Sequence, residues 1–138
     1  MALTIAPPAT EIPGDVEVRV VADERAVVDY GRVVALANDD PGERERAPLL
    51  FQTEPVACAM TLVSHRVAGV FYVATVQHAR RRGLGDALTR IAARTGFEMG
   101  ADAAWLGASE MGARLYRRIG FEPLGSMLVE LESPAFGS

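Results

Sequence analysis

The six residues Arg80-Arg81-Arg82-Gly83-Leu84-Gly85 decide how this chain is read, because an apolar run ends just before them and a helical pattern begins just after. Glycine at 83 and 85 removes the Cβ atoms that would keep a ligand away from the backbone. The first turn of a helix leaves N–H groups without intrahelical partners and carries a partial positive charge, so a phosphate docks there readily. Three arginines add charge and forked donors at the same point. The physical reading is an anion-binding loop. The competing reading is a tight turn shaped by the glycines, with the arginines solvated. Spacing excludes two better-known phosphate loops: G-x-G-x-x-G requires glycine where Leu88 stands, and no G-K-[ST] follows.

Upstream of the loop, residues 56–63 and 67–76 are apolar runs rich in β-branched and aromatic types, and Ser64-His65-Arg66 between them predicts a hairpin turn. Downstream, Leu88, Ile91, Ala92, Thr95 and Met99 recur on one face of a helix that Gly100 stops. Residues 103–108 read as a short buried strand, Ser109 as the cap of a helix over 110–119, and Gly120 as its end. Residues 121–124 and 127–131 read as two further strands. Nearer the start, Val16, Val18 and Val20 alternate with Glu17 and Arg19, the period of a half-buried strand. Asp23 suits an N-cap, and Ala26, Val27, Tyr30, Val33, Val34 and Ala37 follow at helical spacing to about Asn38. Residues 39–48 read as a loop and 49–51 as a short strand. The first 14 residues, with Pro7, Pro8, Pro13 and Gly14, read as a flexible N-terminal arm ahead of one domain over 15–138. This order predicts an α/β (α+β) fold: a mixed, mostly antiparallel sheet with helices on both faces. The strand ending near Val76 and the strand at Ala103 are joined through a helix, so they run parallel.

At 138 residues and 14.8 kDa the chain fits one domain able to bury a core without metal or disulfide staples. Net charge is −4, which disfavours a broad nucleic-acid or anionic-membrane surface. Residues 1–69 carry six arginines against eleven acids and residues 70–138 eight against seven, so positive charge is held locally, around the loop. The longest apolar stretch is about half the ~20 residues of a membrane-spanning helix. Met1-Ala2-Leu3-Thr4-Ile5 has no basic region of a secretory signal, and the one cysteine, Cys58, has no intrachain partner; both point to the cytoplasm.

Taken together, these pieces resemble the GNAT superfamily of acyl-CoA N-acyltransferases. Arg80-Arg81-Arg82-Gly83-Leu84-Gly85 fits that superfamily's Q/R-x-x-G-x-G/A signature. Val73-Ala74-Thr75 precedes it, and Ala108-Ser109-Glu110-Met111-Gly112 and Leu115-Tyr116-Arg117-Arg118-Ile119-Gly120-Phe121 follow in the family's order, the last like its L-Y-x-x-x-G-F element. The resemblance is strong over residues 56–125 and weaker over 15–55. It implies a splayed parallel strand pair opening a V-shaped cleft. Backbone groups of Val73 and Thr75, with Ala74 between them, would pair with the pantetheine arm of acetyl-CoA. Arg80, Arg81, Arg82, Gly83, Leu84, Gly85 and Asp86 would surround its pyrophosphate, and a backbone N–H near Thr75 would meet the oxyanion. Tyr116 matches the tyrosine that protonates the departing thiolate; taken on its own residues it equally reads as packing beside Leu115 and Ile119.

Two departures stand out. Relatives often carry asparagine seven residues before the tyrosine, contacting the cofactor arm; here that position is Ser109, which either keeps that contact or caps its helix. The segment between Asn38 and Leu49 is also shorter than the family's acceptor-side helices. Glu54, His65, Tyr72 and His78 are the candidate general bases, and each reads equally as solvated. Cys58 reads as a buried structural thiol, and Phe97 and Trp105 as core. Two histidines and one cysteine without ligand spacing imply no metal. The expectation is therefore an acetyl-CoA-dependent N-acetyltransferase acting on a small-molecule or peptide amine by direct attack. The alternative is a non-catalytic CoA-binding regulatory or interaction domain. Relatives are often homodimers, and Met127, Leu128, Val129 and Leu131 would form the edge for such pairing.

Overall fold

The computed structural model describes residues 1–38 and 55–126. The expected loop at 39–48, strand at 49–51, Glu54 and the strand at 127–131 lie outside the described residues. Four strands, β1 (Ala2–Leu3), β2 (Ala57–Ser64), β3 (Val67–Thr75) and β4 (Ala103–Trp105), form one sheet in the order β1-β4-β3-β2. Three α-helices accompany them: α1 (Glu24–Ala37), α2 (Leu84–Glu98) and α3 (Glu110–Ile119). β2 and β3 form the expected hairpin, turned through left-handed backbone at His65 and Arg66. Arg66 beyond the turn holds Asp102 through two contacts of 2.7 Å.

Side-chain alternation sets the layers. Ala68 and Val70 of β3 and Ala104 of β4 point to α2 and α3, where they pack with Ala92, Ala93, Ile119 and Phe121. Gly96 is needed at this seam, since an added Cβ would run into Ala68 Cβ. On the opposite face Cys58 and its cross-strand partner Ala74 pack with Tyr30 and Val33 of α1. The caps are as read: Asp23 Oδ1 accepts from Ala26 N at 2.8 Å, and Ser109 Oγ accepts from Gly112 N at 3.1 Å.

The parallel pair β3–β4 is short. It runs only from Val67 opposite Ala103 to Gly69 opposite Trp105, while β3 continues to Thr75. Beyond Phe71 the strand bulges: Met60 pairs Phe71 but Cys58 pairs Ala74, so two residues, Tyr72 and Val73, stand opposite Ala59. Tyr72 takes the left-handed conformation, φ 49°. The pairing with β4 has already ended at Gly69, and the bulge bends and twists what remains of the strand.

Four expectations are corrected. The arm is not free at its start: Ala2–Leu3 pairs with β4 on one side and Ala2 bridges Glu122 on the other, and Leu3 is buried. The unpaired edge of β4 supplies the hydrogen bonds that a two-residue strand cannot announce in sequence. Residues 16–20, conversely, form no strand, and Val20 is 87% exposed. Their alternation meets no ladder, for β2 pairs only with β3 among the described residues. Trp105 is 38% exposed rather than core, standing edge-on to Phe71 at 5.4 Å on the α1 face beyond the reach of α1. Residues 121–124 supply only the Glu122 bridge.

Candidate functional site

The loop after β3 passes through one short 3₁₀ turn, Gln77–Ala79, and reaches α2 at Gly83. Gly83 sits in left-handed backbone, φ 77°, and is the N-cap of α2 without a side chain to cap it. Glycine is required there by the backbone, since nothing lies within 4 Å of an added Cβ. The first helical bond runs from Ala87 N to Gly83 O at 3.0 Å, and the amides of Leu84, Gly85 and Asp86 have no partner among the described residues.

The arginines divide. Arg80 is structural: its Nε donates to Thr75 O and its Nη2 to Ala37 O, both at 3.1 Å, tying the end of β3 to the C-terminus of α1. Its charge suits the helix end it contacts. Arg81 is exposed in left-handed backbone, φ 65°. Arg82 pairs with Asp15. Asp86 pairs with Arg90 one turn on, at 2.6 Å.

Thr75, Gly85 and α3 converge. A Cβ on Gly85 would sit 3.9 Å from Thr75 Oγ1 and 3.8 Å from Leu115 Cδ2. Val73 packs toward α2 and α3, whereas Ala74 faces α1. Next to Leu115, Tyr116 is half-buried and stacks edge-on against Phe121 at 6.1 Å. Burial holds its hydroxyl above the usual phenol range, which keeps it a proton donor at neutral pH. That hydroxyl has no hydrogen-bond partner among the described residues.

One residue that the sequence reading missed shapes this point. The space over Gly112 is filled by the Tyr116 ring, 3.1 Å from where a Cβ would stand, and by Ser109 Oγ at 3.3 Å. The signal was available as glycine at i and tyrosine at i+4 on one helical face. Ser109 and Tyr116 therefore border the same spot, and the Ser109 hydroxyl is engaged as a cap.

The proposed bases are scattered. His65 stands at the hairpin tip with Nδ1 2.9 Å from Ser64 Oγ, Tyr72 is exposed, and His78 lies in the 3₁₀ turn, exposed. Cys58 is buried, and burial pushes its thiol up to about 11, so it is inert at neutral pH. Tyr30 was read only as helical core; its hydroxyl is buried without a partner among the described residues and pushed up to about 12 by burial. Tyr30 and Cys58 line a cavity of about 770 Å³ between residues 12–33, the start of β2 and the stretch 78–88, where Arg82 and Leu84 form part of its wall. Among the described residues no cluster of potential metal ligands occurs, and no helix is long and apolar enough to cross a membrane.

Residues 52–124 match the family model described as Acetyltransferase (GNAT) domain, just over half of the chain. No curated protein matches. Among solved structures, a GCN5-related N-acetyltransferase from Kribbella flavida is 28% identical over 88% of this chain and 52% of its own, with a TM-score of 0.67. One from Sphaerobacter thermophilus is 23% identical, TM-score 0.64, covering 86% of this chain and 45% of that one. One from Ralstonia eutropha is 21% identical, TM-score 0.53, covering 76% and 91%. The chain thus spans about half the length of the first two.

Proposed function

Because the chain belongs to the acetyltransferase (GNAT) domain family, we propose that it transfers an acetyl group from acetyl-CoA to a primary amine by direct attack in a ternary complex. The single observation that carries the reading is the meeting of Thr75, Gly85 and Leu115, which brings the free end of β3, the open start of α2 and the Tyr116 turn of α3 together. Beyond Gly69 the β4-facing edge of β3 leaves backbone groups for an extended pantetheine arm to meet as a neighbouring strand would. The free amides of Leu84, Gly85 and Asp86, with Arg81 and Arg82, suit the pyrophosphate.

In the reaction the neutral amine nitrogen attacks the thioester carbonyl carbon. A backbone N–H near Thr75 meets the oxyanion, the C–S bond breaks, the Tyr116 hydroxyl gives its proton to the leaving sulfur, and the nitrogen loses one to water. Water is given this role because His65 sits at the hairpin tip and Tyr72 and His78 are exposed on other elements. The same scatter favours the second reading, a CoA-binding domain without turnover. Thiol release from acetyl-CoA across a panel of small-molecule and peptide amines decides between them: turnover with any amine supports the enzyme, and tight CoA binding without thiol release supports the alternative. The proposal includes a cytoplasmic setting and a homodimer through residues 127–131. Light scattering checks the latter, with a mass near twice 14.8 kDa expected.

A further inference from the structure

The N-terminal segment does more than complete the sheet. After β1 it runs back along α2 toward that helix's start, held at successive points. Arg94 Nη1 donates to Pro7 O at 3.0 Å and Arg90 Nη1 to Pro8 O at 3.2 Å. Thr10 and Glu11 then wall a cavity of about 390 Å³ whose other sides are Gly83, Asp86, Arg90 and Arg118. A turn closed by Val16 N donating to Pro13 O at 3.0 Å finally delivers Asp15 to Arg82. Two carboxylates are thereby set at the mouth of the loop that the proposed function assigns to phosphate. One already occupies an arginine of that loop.

We propose that residues 7–15 are a carboxylate strap that regulates coenzyme loading, Asp15 and Glu11 competing with the coenzyme phosphates for Arg82 and for the cavity at the start of α2. The inference rests on reading the loop at 80–86 as the pyrophosphate site. An entering phosphate meets two like charges and takes Arg82 from Asp15. Apparent affinity is then lowered by the fraction of molecules in which the strap holds Arg82. The Asp15 side chain is 69% exposed, so the pair is weak and exchangeable, which makes the strap a graded control and not a lock. Its anchor at Arg94 lies one turn beyond the cavity that Arg90 helps to wall, so the carboxylate end can release while Pro7 stays docked.

The test is calorimetric titration of CoA into the whole chain and into Asp15→Asn, Glu11→Gln, the double variant and Arg82→Gln. Asp15→Asn is expected to bind CoA about two- to five-fold more tightly, the double variant about tenfold more tightly, and Arg82→Gln more weakly. Ligand-free melting of Asp15→Asn should stay at or slightly below the parent, showing that the gain is not a better fold. A parent that binds CoA while both carboxylate variants bind it equally or more weakly overturns the strap and makes the segment a supporting wall. A parent that fails to bind CoA at millimolar concentration overturns the loop assignment itself, and the strap with it.

Discussion

The face of the sheet that carries α2 and α3 and the face that carries α1 are built by different means. On the first, the decisive features belong to the backbone: left-handed Gly83, the amides that begin α2 without a partner among the described residues, the bulge in β3, and close helix packing at Gly96 and Gly112. Alanines at 68, 92, 93 and 104 pack there beside the larger Val70, Ile119 and Phe121, and Tyr116 is half-buried against them. On the second, side chains carry the character. Partly buried Tyr30 packs beside buried Cys58, while Met60, Leu62 and Trp105 stand 37%, 60% and 38% exposed beyond α1. A binding face made of backbone depends on glycine positions and spacing, which tolerate drift elsewhere. A face made of side chains can change its ligand by substitution. This division fits a constant coenzyme on one side of the cleft and a variable acceptor on the other.

The sharpest test of the division is Tyr116→Phe, since the proposed function makes Tyr116 the proton donor on the backbone-built face. It is expected to lower kcat by about 10²-fold while CoA affinity stays within about twofold, read from steady-state kinetics and calorimetry together. Unchanged turnover would return the tyrosine to packing against Phe121. Next in size is Gly83→Val. A β-branched residue at φ 77° is strained and crowds the approach to the amides, so CoA binding should weaken by tenfold or more, about 1.4 kcal/mol, in a protein that still folds.

Ser109→Ala removes the α3 cap and should lower stability by about 1 kcal/mol in chemical denaturation. A parallel loss of CoA affinity would show that the hydroxyl also touches the coenzyme arm. On the α1 face the expected signature is alkaline. Cys58 and Tyr30 titrate in the folded chain near 11 and 12, above their ordinary 9 and 10. Their contribution to stability is complete below pH 9 and is lost as the pH rises from there to about 12, because the unfolded chain ionises first. Melting curves of Tyr30→Phe and Cys58→Ala over that window should fall less steeply than the parent's. The smallest effect is expected for Gly85→Ala. Its added Cβ meets Leu115 and Thr75 at ordinary contact distances, so CoA affinity should stay within about twofold; a larger loss would mean that the coenzyme lies directly against the Gly85 Cα.

Legibility in sequence followed the same division. Helices α1, α2 and α3, their stops at Asn38, Gly100 and Gly120, and the β2–β3 hairpin were readable because periodicity, caps and turn residues act locally. The turn that opens α2 at Gly83 was readable because a glycine just before a helical pattern points to left-handed backbone and a start without a side-chain cap. The anchoring of Arg80 was not readable: a guanidinium reaches wherever a carbonyl is free, and here these come from Thr75 and from Ala37, 43 residues away in the chain. Gly112 was visible as a spacing and went unread.

What the sequence determined by itself is the set of local elements, their order, and the backbone chemistry of the loop and the α2 start, since each depends on residues within a turn or two of one another. Tertiary structure alone decided which edges pair. Ala2–Leu3 became a strand because β4 offers it an edge, and residues 16–20 did not because no ladder receives them. It also decided where the strap's Asp15 lies, 67 positions from Arg82. Such contacts are set by the competition of distant groups for one another's hydrogen bonds and charge, and no local pattern records its outcome.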